Sequence, residues 1–169
     1  MKNFNFKLNA NLKDFCTFRI GGKARFLFIA RTINELIDVC KYAKQHNIRH
    51  KIFGLGANLL FDDLGFNGII IVNQSNKILF NKNNVLVDAG TNLSALIVEC
   101  CNHSLSGLEN LFGIPSTIGG AVVNSLGAFN TNFSDFVEYV ECYHKDNLEK
   151  CIKIKNKDCK FDYRSSLFK

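Results

Sequence analysis

The fold of this chain is decided at Gly113-Ile114-Pro115-Ser116-Thr117-Ile118-Gly119-Gly120-Ala121-Val122-Val123, which holds the only proline and then a run of small residues. Pro115 fixes one φ angle, whereas the glycines allow backbone conformations that a side chain forbids. The stretch predicts a loop with bare N–H groups, because successive exposed amides form a concavity of positive partial charge that suits an anion or a flat polar ring. The alternative is a buried turn whose glycines only permit close packing.

A second glycine-rich stretch, Gly54–Leu60, directly follows the predicted strand 51–53. Before it, a strand at 26–29 leads to a helix that Thr32 caps, with Glu35 as the capping-box partner. Strand, helix and strand form a βαβ unit with parallel strands, and ligand loops gather at the carboxyl ends of such strands. The stretch lacks the third Rossmann glycine and the Gly-Lys-Ser/Thr ending of a P-loop. It therefore predicts a cradle of backbone amides for a pyrophosphate, with one Asn side chain.

The other patterns predict a buried strand and then an antiparallel second half. Residues 68–72 form a continuous β-branched run, typical of a strand buried on both faces. Alternating apolar residues around Asn-rich or Asp-containing turns predict hairpins at 77–89 and 137–154. Between them, Asn92 is the predicted cap of a helix with one apolar face.

Composition sets the class of protein. The 169 residues, 47% hydrophobic and 21% charged, predict one globular domain or two small lobes. No apolar run approaches the roughly 18 residues of a membrane span, and the N-terminus lacks a signal-peptide core, which predicts a cytoplasmic protein. The seven cysteines form no C-x-x-C pair, so we interpret them as reduced thiols and predict no metal site.

The formal net charge of +6 is compatible with a nucleic acid, an acidic membrane face or a phosphate-bearing small molecule as partner. The basic residues are interspersed with Asp, Glu and Asn, and no motif combines aromatic with basic residues. A solvated basic surface is therefore favoured over a nucleic-acid interface.

Five motifs occur in the order in which one enzyme family carries them. They are Thr17-Phe18-Arg19-Ile20-Gly21-Gly22, Gly54-Leu55-Gly56-Ala57-Asn58-Leu59-Leu60, Gly107-Leu108-Glu109, Gly113 to Gly120 and Tyr163-Arg164-Ser165-Ser166. Together they resemble the UDP-N-acetylenolpyruvoylglucosamine reductase family, the MurB enzymes of peptidoglycan synthesis, over almost the whole chain.

The resemblance implies an α+β fold, the two-lobed FAD-binding domain of the p-cresol methylhydroxylase (PCMH) and vanillyl-alcohol-oxidase type. A small βαβ lobe is expected at residues 1–73 and a larger, mainly antiparallel α+β lobe at residues 74–169, with FAD between them. The first glycine-rich loop of related oxidases attaches FAD through a histidine. Here that loop has Asn58 and no nearby His, so non-covalent FAD is expected.

The resemblance also implies roles for individual residues. The FAD pyrophosphate is expected on Gly54, Leu55, Gly56, Ala57, Asn58 and Leu59. The flavin and its ribityl chain are expected on Gly113, Ile114, Pro115, Ser116, Thr117, Gly119, Gly120 and Ala121. In the family NADPH reduces the flavin, which passes hydride to the enolpyruvyl double bond of the UDP-sugar. Arg164 is the implied catalytic residue that polarises the substrate carboxylate, and Tyr163 binds substrate beside it; a surface ion pair is the alternative role for this arginine.

The sequence departs from the family at three points. Ala57 stands where many members have Ser, and Ser125 stands where Asn is usual, which weakens cofactor contacts by roughly 1 kcal/mol each. Members also continue into a substrate-binding third domain with a proton-donor serine and a late glutamate, and the expectation is that this chain lacks both. Ser166 belongs to the Tyr-Arg motif and is not that donor.

Three functions stay open at this point. The first is an NADPH-dependent flavin oxidoreductase of cell-wall synthesis, with a UDP-sugar as substrate and with the activity of this chain alone undecided. The second is a flavin-binding module without catalysis, and the third is a basic nucleic-acid-binding protein. The oligomeric state is not predicted.

Overall fold

A computed structural model describes residues 4–169 of the chain. The chain divides into two units, Met1–Asn76 and Lys77–Lys169, and each has its own hydrophobic core. The boundary expected from the sequence, after residue 73, lies close to this division. That the two units are the two lobes of an FAD site stays a prediction.

The first unit is built on a four-stranded sheet with the order β1-β2-β4-β3. Its elements are β1 (Lys7–Asn11), β2 (Lys23–Ala30), α1 (Ile33–Gln45), β3 (His50–Phe53) and β4 (Phe66–Asn73). Strands β2 and β3 both run parallel to β4, which lies between them. The parallel βαβ arrangement is therefore confirmed, whereas the antiparallel edge strand β1 was not predicted.

Local signals account for α1 and β4. The Thr32 hydroxyl accepts a hydrogen bond from the Glu35 N–H at 3.2 Å, and the Glu35 carboxylate accepts one from the Arg31 N–H at 2.7 Å. The predicted capping box is thus present, with its return bond one residue earlier than expected. Every residue of β4 from Gly68 to Asn73 is buried, as its β-branched run predicts.

The second unit contains two α-helices and three small antiparallel sheets. Its elements are β5 (Ile78–Asn81), β6 (Asn84–Val87), α2 (Leu93–Asn102), α3 (Ile118–Val123), β7 (Gly127–Ala128), β8 (Thr131–Asn132), β9 (Tyr139–His144) and β10 (Asn147–Lys155). The pairs β5-β6, β7-β8 and β9-β10 are hairpins, so both predicted hairpins are confirmed.

Helix α3 corrects one expectation from the sequence. A loop was expected throughout residues 113–123, but residues 118–123 are helical. The Thr117 hydroxyl caps this helix by accepting a hydrogen bond from the Gly120 N–H at 3.3 Å. Two glycines are tolerated in so short a helix because tertiary contacts support it. A Cβ at Gly119 would lie 3.0 Å from the Ala89 carbonyl oxygen.

The core of the second unit is the apolar face of α2 packed on the segment that follows it. Leu93, Leu96 and Ile97 are buried together with Leu111 and Ile118. The predicted amphipathic helix after Asn92 is confirmed, and the Asn92 side chain caps it through the Ala95 N–H at 3.1 Å. Over the range 4–169, no helix has the length and apolarity needed to cross a membrane.

Candidate functional site

The loop Gly54–Leu60 begins where β3 ends, at the carboxyl end of a parallel pair of strands. Within the described chain, none of its amide N–H groups donates to a protein acceptor. Its one main-chain bond runs the other way, from the Thr17 N–H to the Gly56 carbonyl at 3.2 Å. The expected loop of bare amides is therefore present, and its donors are free for a ligand.

Gly56 is held by the protein's own backbone. Its φ is +67°, and a Cβ built on it would collide with the Phe15 carbonyl oxygen and approach the Cys16 Cα to 3.0 Å. The segment before β2 therefore forms the wall on which this loop rests. Sequence reasoning missed this role of Phe15, because a contact between two backbones leaves no signal in side-chain patterns.

The stretch 113–121 differs from the first loop, because most of its amides are occupied. Its donors and their acceptors are Gly113 to Ser94 Oγ, Ile114 to the Leu111 carbonyl, Ser116 to the Ile114 carbonyl, Ile118 to the Thr91 carbonyl, Gly119 to the Ala89 carbonyl, Gly120 to Thr117 Oγ1 and Ala121 to the Thr117 carbonyl. The expectation of bare N–H groups is therefore wrong for all of these positions except Thr117, whose N–H has no acceptor in the described chain. Ile118 and Gly119 donate to the connection between β6 and α2, Gly113 donates to α2, and the other donors bond within a few residues of themselves.

The support for this stretch is an antiparallel bridge between Asn92 and Thr117. The Leu93 N–H donates to the Ser116 carbonyl at 2.9 Å, and the Ile118 N–H donates to the Thr91 carbonyl at 2.9 Å. Beside the bridge, the Thr91 hydroxyl is buried and has no hydrogen-bond partner among residues 4–169. An unpaired buried hydroxyl is costly, so this oxygen is a point that a polar ligand atom can satisfy.

The predicted residues of this stretch differ in their access to a ligand. Gly113 and Pro115 are exposed, while Thr117 and Ala121 are buried in the core. The first two are open to solvent, and the last two hold the stretch in shape. The remaining predicted positions are partly exposed, namely Ile114, Ser116, Gly119 and Gly120.

Tyr163 and Arg164 lie in a tight turn that closes on itself. Asp162 and Ser165 exchange hydrogen bonds at 3.0 and 3.1 Å, and Arg164 has a φ of +52°. The Arg164 guanidinium lies 6.0 Å from the Tyr163 ring, and no residue of the described chain forms an ion pair with it. The surface ion pair that the sequence left open is therefore not formed, and the guanidinium is free for an anionic ligand.

Metal binding and cysteine reactivity are the other kinds of site to consider in the described part of the chain. Residues 4–169 contain no group of three or more His, Cys, Asp or Glu arranged to hold a metal ion. All the cysteines are free thiols. Burial, with a smaller contribution from Cys101 and neighbouring glutamates, raises the pKa of Cys100 on α2, which keeps this thiol protonated and unreactive.

The sequence matches a known family of domains. Residues 24–147 match the family model described as FAD binding domain. The UDP-N-acetylenolpyruvoylglucosamine reductase of Caldicellulosiruptor saccharolyticus is 36% identical over 168 residues, which are 99% of this chain and 54% of that protein. That of the Buchnera aphidicola strain from Acyrthosiphon pisum is 38% identical over 164 residues, or 94% of this chain and 45% of that protein. The chain thus spans about half the length of the curated relatives it matches.

Solved structures agree with this match. The crystal structure of UDP-N-acetylenolpyruvylglucosamine reductase (MurB) from Thermus caldophilus superimposes with a TM-score of 0.77 at 30% identity, over 95% of this chain and 57% of that one. An alkyldihydroxyacetonephosphate synthase superimposes with a TM-score of 0.62 at 14% identity, over 88% of this chain and 30% of that one, which shows the shared fold. The expected fold class, an FAD-binding α+β domain of the PCMH type, is confirmed. The chain belongs to the FAD binding domain family, and it is similar to UDP-N-acetylenolpyruvoylglucosamine reductases over about half of their length.

Proposed function

We propose that this chain binds FAD non-covalently and is the flavin-binding part of an enzyme that reduces UDP-N-acetylglucosamine enolpyruvate to UDP-N-acetylmuramate with NADPH. One observation carries the proposal. The loop Gly54–Leu60 keeps its amide N–H groups free of protein acceptors at the carboxyl end of β3. Free backbone donors in a row fit the oxygens of a pyrophosphate, and they have no other use in the described chain.

The first loop also supports non-covalent attachment. Asn58 is exposed and offers an amide, which cannot form the bond that a histidine forms with the flavin ring. The histidine of β3, His50, stands at the opposite end of that strand, about 10 Å from the loop. FAD is therefore held by hydrogen bonds and packing, and it leaves when the protein unfolds.

The second stretch contributes shape more than donors. Because the amides of Gly113, Ile114 and Ser116 are all bonded within the protein, residues 113–116 are fixed as a firm surface with Gly113 and Pro115 outward. A flat ring packs on such a surface without a side chain in its way. The unpaired Thr91 hydroxyl offers a polar contact close by. These features support a role in binding the flavin or its ribityl chain.

FAD, when bound, supplies hydride transfer from NADPH to the enolpyruvyl double bond. The residues of this chain then have to orient the substrate. Arg164 is exposed and unpaired, so its planar guanidinium suits the substrate carboxylate, with Tyr163 beside it. Protonation of the neighbouring carbon needs a positioned acid, which typically contributes 10²- to 10⁴-fold.

The experiment is a flavin assay on the purified chain. We expect stoichiometric FAD that passes a filter after denaturation, and anaerobic bleaching of its visible absorbance by NADPH. Addition of UDP-N-acetylglucosamine enolpyruvate then restores the absorbance if the chain completes the reaction. A chain that binds FAD but shows no substrate-dependent reoxidation is a flavin-binding module without catalysis, the second candidate. Failure to bind FAD overturns the proposal.

A further inference from the structure

The carbonyl groups in the last turn of α3 all have partners. The Gly120 carbonyl accepts from the N–H and the side chain of Asn124. The Ala121 carbonyl accepts from the Leu126 N–H, and the Val122 carbonyl accepts from the Ser125 N–H. The Val123 carbonyl accepts from the Ser166 hydroxyl. Three of these carbonyls are satisfied within a few residues. The last, that of Val123, depends on a side chain from the far end of the chain.

Ser166 makes two hydrogen bonds with one hydroxyl. It donates to the Val123 carbonyl at 2.8 Å and accepts from the Phe168 N–H at 3.3 Å, and the residue is only partly exposed. Within residues 4–169, the other hydrogen bond that leaves the segment 160–169 runs from the Leu167 N–H to the adjacent Cys159 carbonyl. Ser166 therefore provides the long-range polar tether of this segment.

The tethered segment carries Arg164 in a self-contained turn. The paired backbones of Asp162 and Ser165 close the turn, and the Lys169 ammonium donates to the Arg164 carbonyl at 2.9 Å. A turn closed in this way moves as a unit. Its position relative to α3, and to the stretch 113–117 that leads into α3, is therefore set by the contact two residues beyond Arg164.

We propose that Ser166 is the positioning residue for Arg164, holding the Tyr163-Arg164 turn on the end of α3 so that the guanidinium meets the substrate carboxylate beside the flavin. The proposal rests on the proposed function, because it takes the flavin site as the place where Arg164 acts. Ser166 has no chemical role in it. Its hydroxyl proton is donated to the Val123 carbonyl.

The first measurement is trypsin cleavage after Arg164, followed by mass spectrometry. Ser166→Ala removes the tether, and loss of one hydrogen bond is expected to speed this cleavage roughly three- to tenfold relative to cleavage at other sites. Ser166→Thr keeps the hydroxyl and should restore the slow rate. Ser165→Ala is the matched control, because it removes a neighbouring exposed hydroxyl that has no partner in the described chain.

The second measurement is the midpoint potential of bound FAD. Loss of a nearby positive charge lowers this potential, so Arg164→Ala should lower it and Ser166→Ala should lower it less. In the double variant, Ser166→Ala should add nothing to Arg164→Ala, because the tether acts only through the guanidinium. An equal shift from Ser166→Ala in both backgrounds, or none in the parent, overturns the proposal.

The two measurements separate this proposal from the proposed function. If the parent chain does not bind FAD, the proposed function fails. The rate of trypsin cleavage after Arg164 then tests only whether Ser166 tethers the turn. An unchanged rate in Ser166→Ala overturns that tethering role.

Discussion

Asn92 and Thr117 face each other in an antiparallel bridge, and each is also the N-cap of a helix, α2 and α3 respectively. The N-termini of the two helices therefore lie next to each other, and each is capped by its own side chain. The backbone bonds of the bridge use up the first amides of both helices. This arrangement turns a glycine-rich stretch that looks like a flexible loop into a firm surface.

Removing the cap of α3 tests that surface. Thr117→Ala removes the acceptor of the Gly120 N–H, which should cost about 1 kcal/mol in the free energy of unfolding and weaken FAD binding. Thr117→Ser keeps the oxygen and should retain both properties. Urea denaturation and titration with FAD are the measurements.

The matched control is Thr32→Ala, which removes an equivalent cap from α1 in the other unit. It should cost a similar free energy of unfolding, again about 1 kcal/mol, without the same loss of FAD affinity. Equal losses of affinity in both variants would show that the bridge has no special relation to the cofactor.

Removing one N–H group from the loop Gly54–Leu60 tests whether its unpaired amides bind FAD. Ala57→Pro removes an N–H, and loss of a hydrogen bond to a charged phosphate corresponds to about 1.5–3 kcal/mol, or roughly a tenfold to hundredfold weaker binding of FAD. Ala57→Ser keeps the N–H and adds a hydroxyl, so it should tighten binding roughly fivefold. Quenching of flavin fluorescence measures both. Unchanged affinity in a folded Ala57→Pro variant, as judged by circular dichroism, would remove this loop from the site.

Comparing Gly56 with Gly113 separates two reasons why a position requires glycine, namely a positive φ angle and the lack of space for a Cβ atom. Both have positive φ, +67° and +83°, but a Cβ at Gly56 meets the Phe15 carbonyl whereas one at Gly113 meets nothing within 4 Å. Gly113→Ala should therefore cost only the conformational penalty, roughly 1–2 kcal/mol in the free energy of unfolding. Gly56→Ala should cost more and displace the loop, with loss of FAD. Equal unfolding free energies for the two variants would contradict the backbone contact.

Cys40 makes stability depend on pH in the alkaline range. Burial on α1 raises the pKa of this thiol from 9.0 to about 11. The unfolded chain loses this proton first, so the contribution is fully present below pH 9 and is lost as the pH rises toward 11. The free energy of unfolding should fall by roughly 2 kcal/mol over that range from this group.

Cys40→Ala should flatten that part of the pH profile. Comparing this variant with the parent chain cancels the titration of lysine and tyrosine. Identical slopes for the parent and Cys40→Ala would show that this thiol is not responsible.

Much of the local structure was predictable because its causes lie within a few residues. The cap at Thr32, the cap at Asn92 and the buried run 68–72 are each encoded by neighbouring side chains. The loop at 54–60 was predictable for the same reason, since a glycine-rich segment after a strand has few ways to bond its own amides. At these positions the residues that form each hydrogen bond are close neighbours in the sequence, so their spacing predicts the bond.

Tertiary structure alone decided which distant groups meet. Three such meetings are contacts between backbones: β4 lies between β2 and β3, Phe15 approaches Gly56, and Asn92 pairs with Thr117. Because side chains do not make these contacts, no residue pattern predicts them. The bond from Ser166 to Val123 spans 43 positions in the chain. A serine hydroxyl accepts many partners equally well, and only the packed fold determines which carbonyl is left for it.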